Sequence, residues 1–292
     1  MIMMKLQSIL VYTFLWGSIY LLISLGFSLI CGVLRIFHLG YGVTFVLAAY
    51  ATWMFMAEFG LGFWPALMLM FLLQIAVSLL VFHKGVFQRY LEQEEILLTM
   101  AMLIFLAVTH LANYRYPVTA GVALPTTIVS GTFKLGLVRI SYQMLISALA
   151  GLGVTAVFVI LFLKTRVGLI IRAMSQDLRA SRLMGADVDK MYYLAMILAV
   201  IPPTICVLLI APFWSLDPFM GSSLFMTAMM VSILGGLGNL KGSIVASYLI
   251  GFIHASVSFL YISRFMGFAA LVVTLLVMIF KRGGLYPGET IW

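Results

Sequence analysis

Apolar residues fill this chain in long unbroken stretches, not in short alternating blocks. Nine runs free of Asp, Glu, Lys and Arg follow one another: Leu6–Leu34, Ile36–Ala57, Phe59–His83, Ile96–Tyr114, Ile140–Leu163, Met191–Leu216, Pro218–Leu240, Gly242–Ser263 and Phe265–Phe280. A helix crosses the hydrocarbon core in about 20 residues, so all but the last are long enough unaided. The last is flanked by Arg264 and Lys281, whose long stems reach the interfaces. The pattern predicts an all-α polytopic membrane protein of about nine transmembrane helices (8–10), folded as one membrane domain over residues 1–292. The first run is longer than a signal-peptide core and is read as an uncleaved span.

Several segments break the pattern. Tyr116–Phe133 carries no charge, but its two prolines, two glycines and four threonines would leave backbone groups unsatisfied in lipid. It is expected to be an aqueous loop with a small hairpin, inside an extracytoplasmic segment 113–139. Near 32–42 and 214–222 the glycines and the tight spacing predict half-helices or re-entrant turns. Gly235-Gly236-Leu237-Gly238 is expected to interrupt the seventh run, since each glycine costs about 1 kcal/mol relative to alanine in a helix. Gly32 to Gly42 repeats the theme of helix, glycine break and helix.

Composition agrees with a bilayer environment: 64% of residues are hydrophobic and 9% charged, with a mean hydropathy of +1.18, far from the roughly 25% charge of soluble domains. The net charge of +8 does not form a continuous basic stripe, which argues against nucleic acid and for loop charge that orients the chain. With the N-terminus outside, twelve basic residues lie inside and five outside (Lys5, Arg115, Lys134, Arg139 and Arg264). Cys31 and Cys206 have no metal-ligand or disulfide spacing. The acids gather between the runs, so no carboxylate ladder for proton coupling is visible, nor any metal cluster or nucleophile–base pair. A membrane enzyme is therefore not expected. His110 and His254 lie within runs and are read as neutral histidines bonded to neighbouring helices. His83 beside Lys84 is placed at an interface.

One inside segment, 164–190, holds six of the seventeen basic residues. Ile170, Met174 and Leu178 recur at helical spacing, with Arg172, Ser175, Gln176, Arg179 and Arg182 opposite, as in an amphipathic surface helix. Asp177 is a plausible N-cap and Gly185 a C′ stop for a short helix Leu178–Met184, following a helical extension of the fifth span. By itself the pattern fits an interfacial helix held to anionic lipid or a dock for a cytoplasmic partner.

The run Thr165-Arg166-Val167-Gly168, Ile171-Arg172-Ala173, Asp177, Ala180 and Leu183-Met184-Gly185 resembles the cytoplasmic signature of permease subunits of branched-chain amino acid (Liv-type) ABC importers. Gly17-Ser18-Ile19-Tyr20-Leu21 with Leu25-Gly26 and Gly32-Val33-Leu34-Arg35-Ile36 resembles that family's first-span block. Leu234 to Asn239 with Gly242 resembles its glycine-rich block, and Phe280 to Tyr286 its terminus. The resemblance implies an inner-membrane permease that moves a small polar solute. It also implies a second permease subunit, two cytoplasmic ATPases that carry ATP and Mg, and an extracytoplasmic binding protein. A Walker A motif, GxxxxGK[ST], is absent from this chain. The same resemblance makes the surface helix a coupling element, with Arg172, Gln176, Asp177, Arg179 and Arg182 as polar contacts, Leu183 and Met184 as apolar anchors, and Gly185 at the turn. Leu169 departs from the basic residue common there. A stand-alone secondary carrier or channel is the alternative reading.

Small residues form stripes: Gly17, Ser24, Ser28 and Cys31 in the first span, Ser147, Gly151 and Thr155 in the fifth, and Ser243, Ser247, Gly251 and Ala255 in the eighth. Such stripes let helices pack closely, or they line a polar route. The candidate path or gate set is Ser24, Ser28, His38, Tyr41, Gly42, Gly235, Gly236, Gly238 and Ser247, with the first and eighth spans as path-lining helices. His38, Tyr41 and Val43 stand where relatives tend to show Asn, His and Glu. If that segment faced the solute, the missing carboxylate would favour a cargo other than a standard branched-chain amino acid, such as an amide or an organic or aromatic acid. Arg115, Lys134 and Arg139 are the candidate contacts for the binding protein.

Overall fold

The apolar runs fold in order as helices. The computed structural model describes residues 2–34, 37–90, 93–117, 122, 124, 129–136, 138–214, 216–281 and 283–286. Its elements are α1 (Ile2–Leu34), a 3-10 turn (Leu39–Tyr41), α2 (Gly42–Ala57), α3 (Phe63–Ala76) continued by a π-helix (Val77–Phe87) and α4 (Gln88–Tyr90), and α5 (Glu94–Arg115). Then come β1 (Thr132–Leu135), β2 (Val138–Ser141), α6 (Tyr142–Lys164), α7 (Arg166–Gln176), α8 (Leu178–Leu183) and α9 (Val188–Ile210). The chain ends with α10 (Met220–Gly235), α11 (Leu240–Leu260), a 3-10 turn (Ser263–Phe265) and α12 (Met266–Phe280).

Among the described residues eight helical stretches are long and apolar enough to cross a membrane, and the seventh run, Pro218–Leu240, holds the shorter α10. At 16 residues, α10 is about 24 Å long, less than the roughly 30 Å of hydrocarbon. The segment before it turns back into the bundle, with Ala211, Leu216 and Met220 buried and Trp214 set edge-on against Trp16. On the other flank, α2 starts from the 3-10 turn with Tyr41 and Gly42 buried. The starts of the two helices meet: a Cβ on Gly221 would lie 2.8 Å from Gly42 O, and both glycines pack on Phe105 at the midpoint of α5. Both expected irregular segments are thus places where a helix begins inside the bundle. Arg35 and Ile36, in the first of them, lie outside the described residues.

The small-residue stripes set the packing. α1 is the central post, with α11, α9, α6 and α10 around it; 89% of its most apolar window is buried, against 11% for the last span. Tyr248 rests on Gly17, and a Cβ on Gly251 would lie 2.8 Å from Gly17 N. Such close approach is how helices associate in a medium as apolar as their side chains. The last span instead presents Phe268, Leu271, Leu275 and Ile279 outward. Buried polar groups tie helices together: Ser28 Oγ lies 2.9 Å from both Ser232 Oγ and Ser243 Oγ. Gln74 Nε2 donates to Thr44 O and to Thr204 Oγ1.

Prolines 202 and 203 lie inside α9. Pro203 has no N–H for Ala199 O, and that carbonyl packs on Gly26 of α1. The π-helix closes i→i+5, which brings Phe82 and Phe87 onto one face; both rings stand edge-on to His38. His83, expected at an interface, is buried; its ring packs on Tyr193 and its Nε2 meets Gln88.

A hairpin forms at the end of the segment expected to hold it, its first strand beginning inside that segment at Thr132 and the rest lying beyond Phe133. β1 and β2 pair antiparallel with Lys134 opposite Arg139. Val138 and Ile140 pack with Leu15, Met144 and Ala148, and Gln7 Nε2 donates to Leu135 O. Half of Tyr116–Phe133 lies outside the described residues. The hairpin caps the end of the bundle where α1 begins and α6 starts; α7 and α8 lie at the opposite end of α6.

Candidate functional site

The segment 164–190 is two short helices set apart from the span, not the expected extension of it. α6 stops at Lys164, and Thr165 is extended (φ −105°, ψ 158°) as the N-cap of α7, its hydroxyl accepting from Gly168 N. The chain doubles back here: a Cβ on Gly168 would stand 2.5 Å from Leu161 O and 2.5 Å from Phe162 Cα. Ile171 and Met174 seal α7 against the bundle; Ile170 and Leu178 of the expected face are partly buried beside them, and Ile171 joins it. Asp177 ends α7 and caps α8, its Oδ1 accepting from Arg179 N and Ala180 N at 2.8 and 2.9 Å. At the far end Gly185 has φ +87°, its N–H bonds Arg182 O, and Ala186 N bonds Ser181 O. This is a Schellman-type stop that favours glycine, so the predicted cap and stop are both present, with α8 ending one residue early at Leu183.

Beside Asp177, the cap of α8, the other seven coupling candidates divide into two groups. Arg179, Arg182, Leu183, Met184 and Gly185 are exposed around α8, with Leu183 88% and Met184 89% accessible. Arg182 makes a long contact of 3.7 Å with Asp189, which adds little in water. Asp187 caps α9 and pairs with Lys190, and the hydrogen bond from Lys190 holds its carboxyl below the ordinary range. Arg172 and Gln176 are exposed too, and they line a cavity with the glycine-rich turn.

That turn is where the glycine motifs converge. α10 ends at Gly235, whose backbone packs on Gly242 of α11, and Gly238 (φ +77°) sits against Gly32 of α1, with a Cβ there only 2.7 Å from Gly32 Cα. Asn239 caps α11 by accepting from Gly242 N and donates to Tyr286 O. The chain after α12 folds back, with Leu285 N bonding Leu234 O and Tyr286 N bonding Gly235 O. Gly236 lies under Tyr286 O. Three segments far apart in sequence thus form one backbone knot.

The path candidates fare differently. Ser24 is buried and bonds Leu21 O of its own helix; Ser247 is buried and bonds Ile244 O. Both are fully buried within the chain, which agrees with the close packing that small-residue stripes allow. Ser28 combines that role with a place in the cavity. His38, Tyr41 and Val43 are sealed in the core, and Tyr41 Oη donates to Ile23 O. The inference about cargo drawn from their departure therefore lapses, because these side chains meet other helices of the same chain. His254 Nδ1 lies 2.6 Å from Tyr20 Oη, the helix-to-helix bond expected of it. His110 instead lies on the exposed face of α5 near Phe219.

Of the three outer cations, Lys134 and Arg139 face each other exposed across the hairpin. Arg115 is already engaged: its Nη2 lies 2.6 Å from Glu58 Oε1, and its guanidinium lies over the Tyr116 ring.

A central helix packed among α6, α9, α10 and α11, with the other apolar helices outside them and a charged two-helix element at one end, is the architecture of a multi-pass membrane protein. The model of the permease component of branched-chain amino acid transport systems matches residues 9–281, and the chain belongs to that family. It is 25% identical over 290 residues to the high-affinity branched-chain amino acid transport system permease protein LivH of Escherichia coli K12, covering 90% of each chain. It is 23% identical over 284 residues to the permease protein BraD of Pseudomonas aeruginosa, covering 92% of each. Among solved structures, PsaBC from Streptococcus pneumoniae in complex with Fab shares the fold, with a TM-score of 0.52, 16% identity and coverage of 94% of this chain and 91% of that one. The protein is a multi-pass inner-membrane protein.

Proposed function

We propose that the chain is the translocating subunit of an ATP-driven importer for a small amino acid-like solute, with α8 as the contact to a cytoplasmic ATPase. In this reading a second permease completes the pathway, two ATPase subunits hold ATP and Mg, and an extracytoplasmic binding protein docks near Lys134 and Arg139. The family supplies the class, and the named relatives make a branched-chain amino acid the first solute to test. The observation that carries the coupling role is the tip of α8. Leu183 and Met184 are almost fully exposed apolar side chains on a helix fixed at both ends by Asp177 and Gly185. A rigid apolar tip ringed by arginines suits insertion into a partner's groove.

The test is purification of the tagged chain from its native membrane in mild detergent, beside the variant Arg179→Glu with Leu183→Asp. ATPase subunits that copurify with the wild type and are lost from the variant, together with the stimulated ATP hydrolysis, support the reading. A chain that purifies alone and moves leucine into vesicles without ATP overturns it in favour of a secondary carrier.

A further inference from the structure

The cavity under the glycine knot has a chemistry of its own. It has a volume of about 510 Å³ and lies between the last turns of α1 and α6, the face of α7 and the turn into α11. Its polar lining includes Arg172 and Lys241, and no carboxylate is among the described lining residues. Neither cation makes an ion pair among the described residues. The remaining wall is largely aliphatic and aromatic, with Leu25 and Phe158 in its lining. At the flank, Leu163 and Leu237 are both lining residues and exposed, so the apolar wall continues onto the outer surface of the bundle.

Two cations without a carboxylate partner among the described residues, above an apolar wall at the end of membrane-spanning helices, match an amphipathic anion: phosphate at the cations, acyl chains along the hydrocarbon. We propose that this cavity holds the headgroup of an anionic phospholipid from the leaflet on which α7 lies, with its phosphate between Arg172 and Lys241. A zwitterionic lipid presents its own cation to the same pair and is disfavoured. A free phosphate ion satisfies the charges but leaves the apolar wall uncovered. The site thereby links α7 to the α10–α11 turn through a lipid, and it stands whether or not α8 docks an ATPase.

The test is native mass spectrometry of the detergent-purified chain after incubation with phosphatidylglycerol, phosphatidylcholine or glycerol phosphate. The wild type is expected to keep one phosphatidylglycerol in preference to phosphatidylcholine. Retention is expected to fall about five-fold for each cation removed, in Arg172→Gln and in Lys241→Gln. Arg172→Lys keeps the charge and is expected to keep the lipid, as is Arg179→Gln, whose charge lies outside the cavity. Equal retention of phosphatidylcholine, unchanged retention in both single Gln variants, or displacement by glycerol phosphate at the same concentration each overturns the proposal. The last outcome marks a soluble-anion site instead. Each variant is measured as intact, lipid-exchanged monomer, so only folded protein enters the comparison.

Discussion

At the residue scale, the decisive positions are small ones, and what surrounds them separates structural necessity from tolerance. Gly153 lies within α6 and Gly168 just beyond its end, but a Cβ at Gly153 meets nothing within 4 Å, while one at Gly168 strikes the last turn of α6. Gly168→Ala is therefore expected to cost about 1–3 kcal/mol through overpacking. Gly153→Ala is expected to be neutral or to stabilise by up to about 1 kcal/mol through helix propensity. Thermal unfolding followed by tryptophan fluorescence in detergent separates them, and equal melting temperatures would refute the doubled-back turn at Thr165. The cap at Asp177 offers a second check. Asp177→Ala removes the acceptor for Arg179 N and Ala180 N, at a cost of about 1 kcal/mol, whereas Asp177→Asn retains an acceptor and most of the stability. The cap and the stop of α8 were legible in the sequence, because both depend on side chains within a few residues.

At the element scale, α1 owes its place to two kinds of contact. One is the close approach of Gly17 and Gly251; the other is the serine cluster that ties α1 to α10 and α11 through Ser28, Ser232 and Ser243. Buried interhelical hydrogen bonds in membranes are worth about 0.6 kcal/mol each on average. Ser28→Ala is accordingly expected to lower stability by about 1 kcal/mol without altering the fold. Gly251→Val, which forces a branched side chain against the α1 backbone, is expected to abolish accumulation of folded protein. Size-exclusion profiles of the two variants expose the difference, and a well-folded Gly251→Val would show that the helices have room to separate. The sequence displayed the stripes on both helices but not that they face each other. A stripe marks where backbones can come close; it does not name the neighbour.

At the scale of the whole molecule, the hairpin and the α7–α8 element lie at opposite ends of the bundle. The basic residues weight the α7–α8 end, and the positive-inside rule predicts that this end faces the cytoplasm. Because Cys31 and Cys206 are buried, single cysteines at exposed positions can be labelled over a low background. Lys134→Cys is expected to react with a membrane-impermeant maleimide in intact cells, and Arg179→Cys only after the membrane is opened. The reverse pattern would invert the topology while leaving the fold intact. The spans themselves were legible because a bilayer forces about 20 apolar residues per crossing. The cavity was not legible, since Arg172 and Lys241 come from separate helices with nothing in sequence to join them.

The sequence by itself determined the membrane environment, the order of helices, the glycine breaks, and the cap and stop of α8. Each follows from local composition or from side chains a few positions apart. Only the tertiary structure decided that Gly32, Gly238 and the chain after α12 form one knot, and that His38 and Tyr41 are core residues. It also decided that Arg115 is held by Glu58, and that Arg172 lines a cavity shared with the start of α11 while Arg179 is exposed on α8. The physical reason is the same in each case: helical periodicity and polarity define a face, whereas its partner is chosen by the fit of backbones and the satisfaction of buried polar groups across long sequence separations.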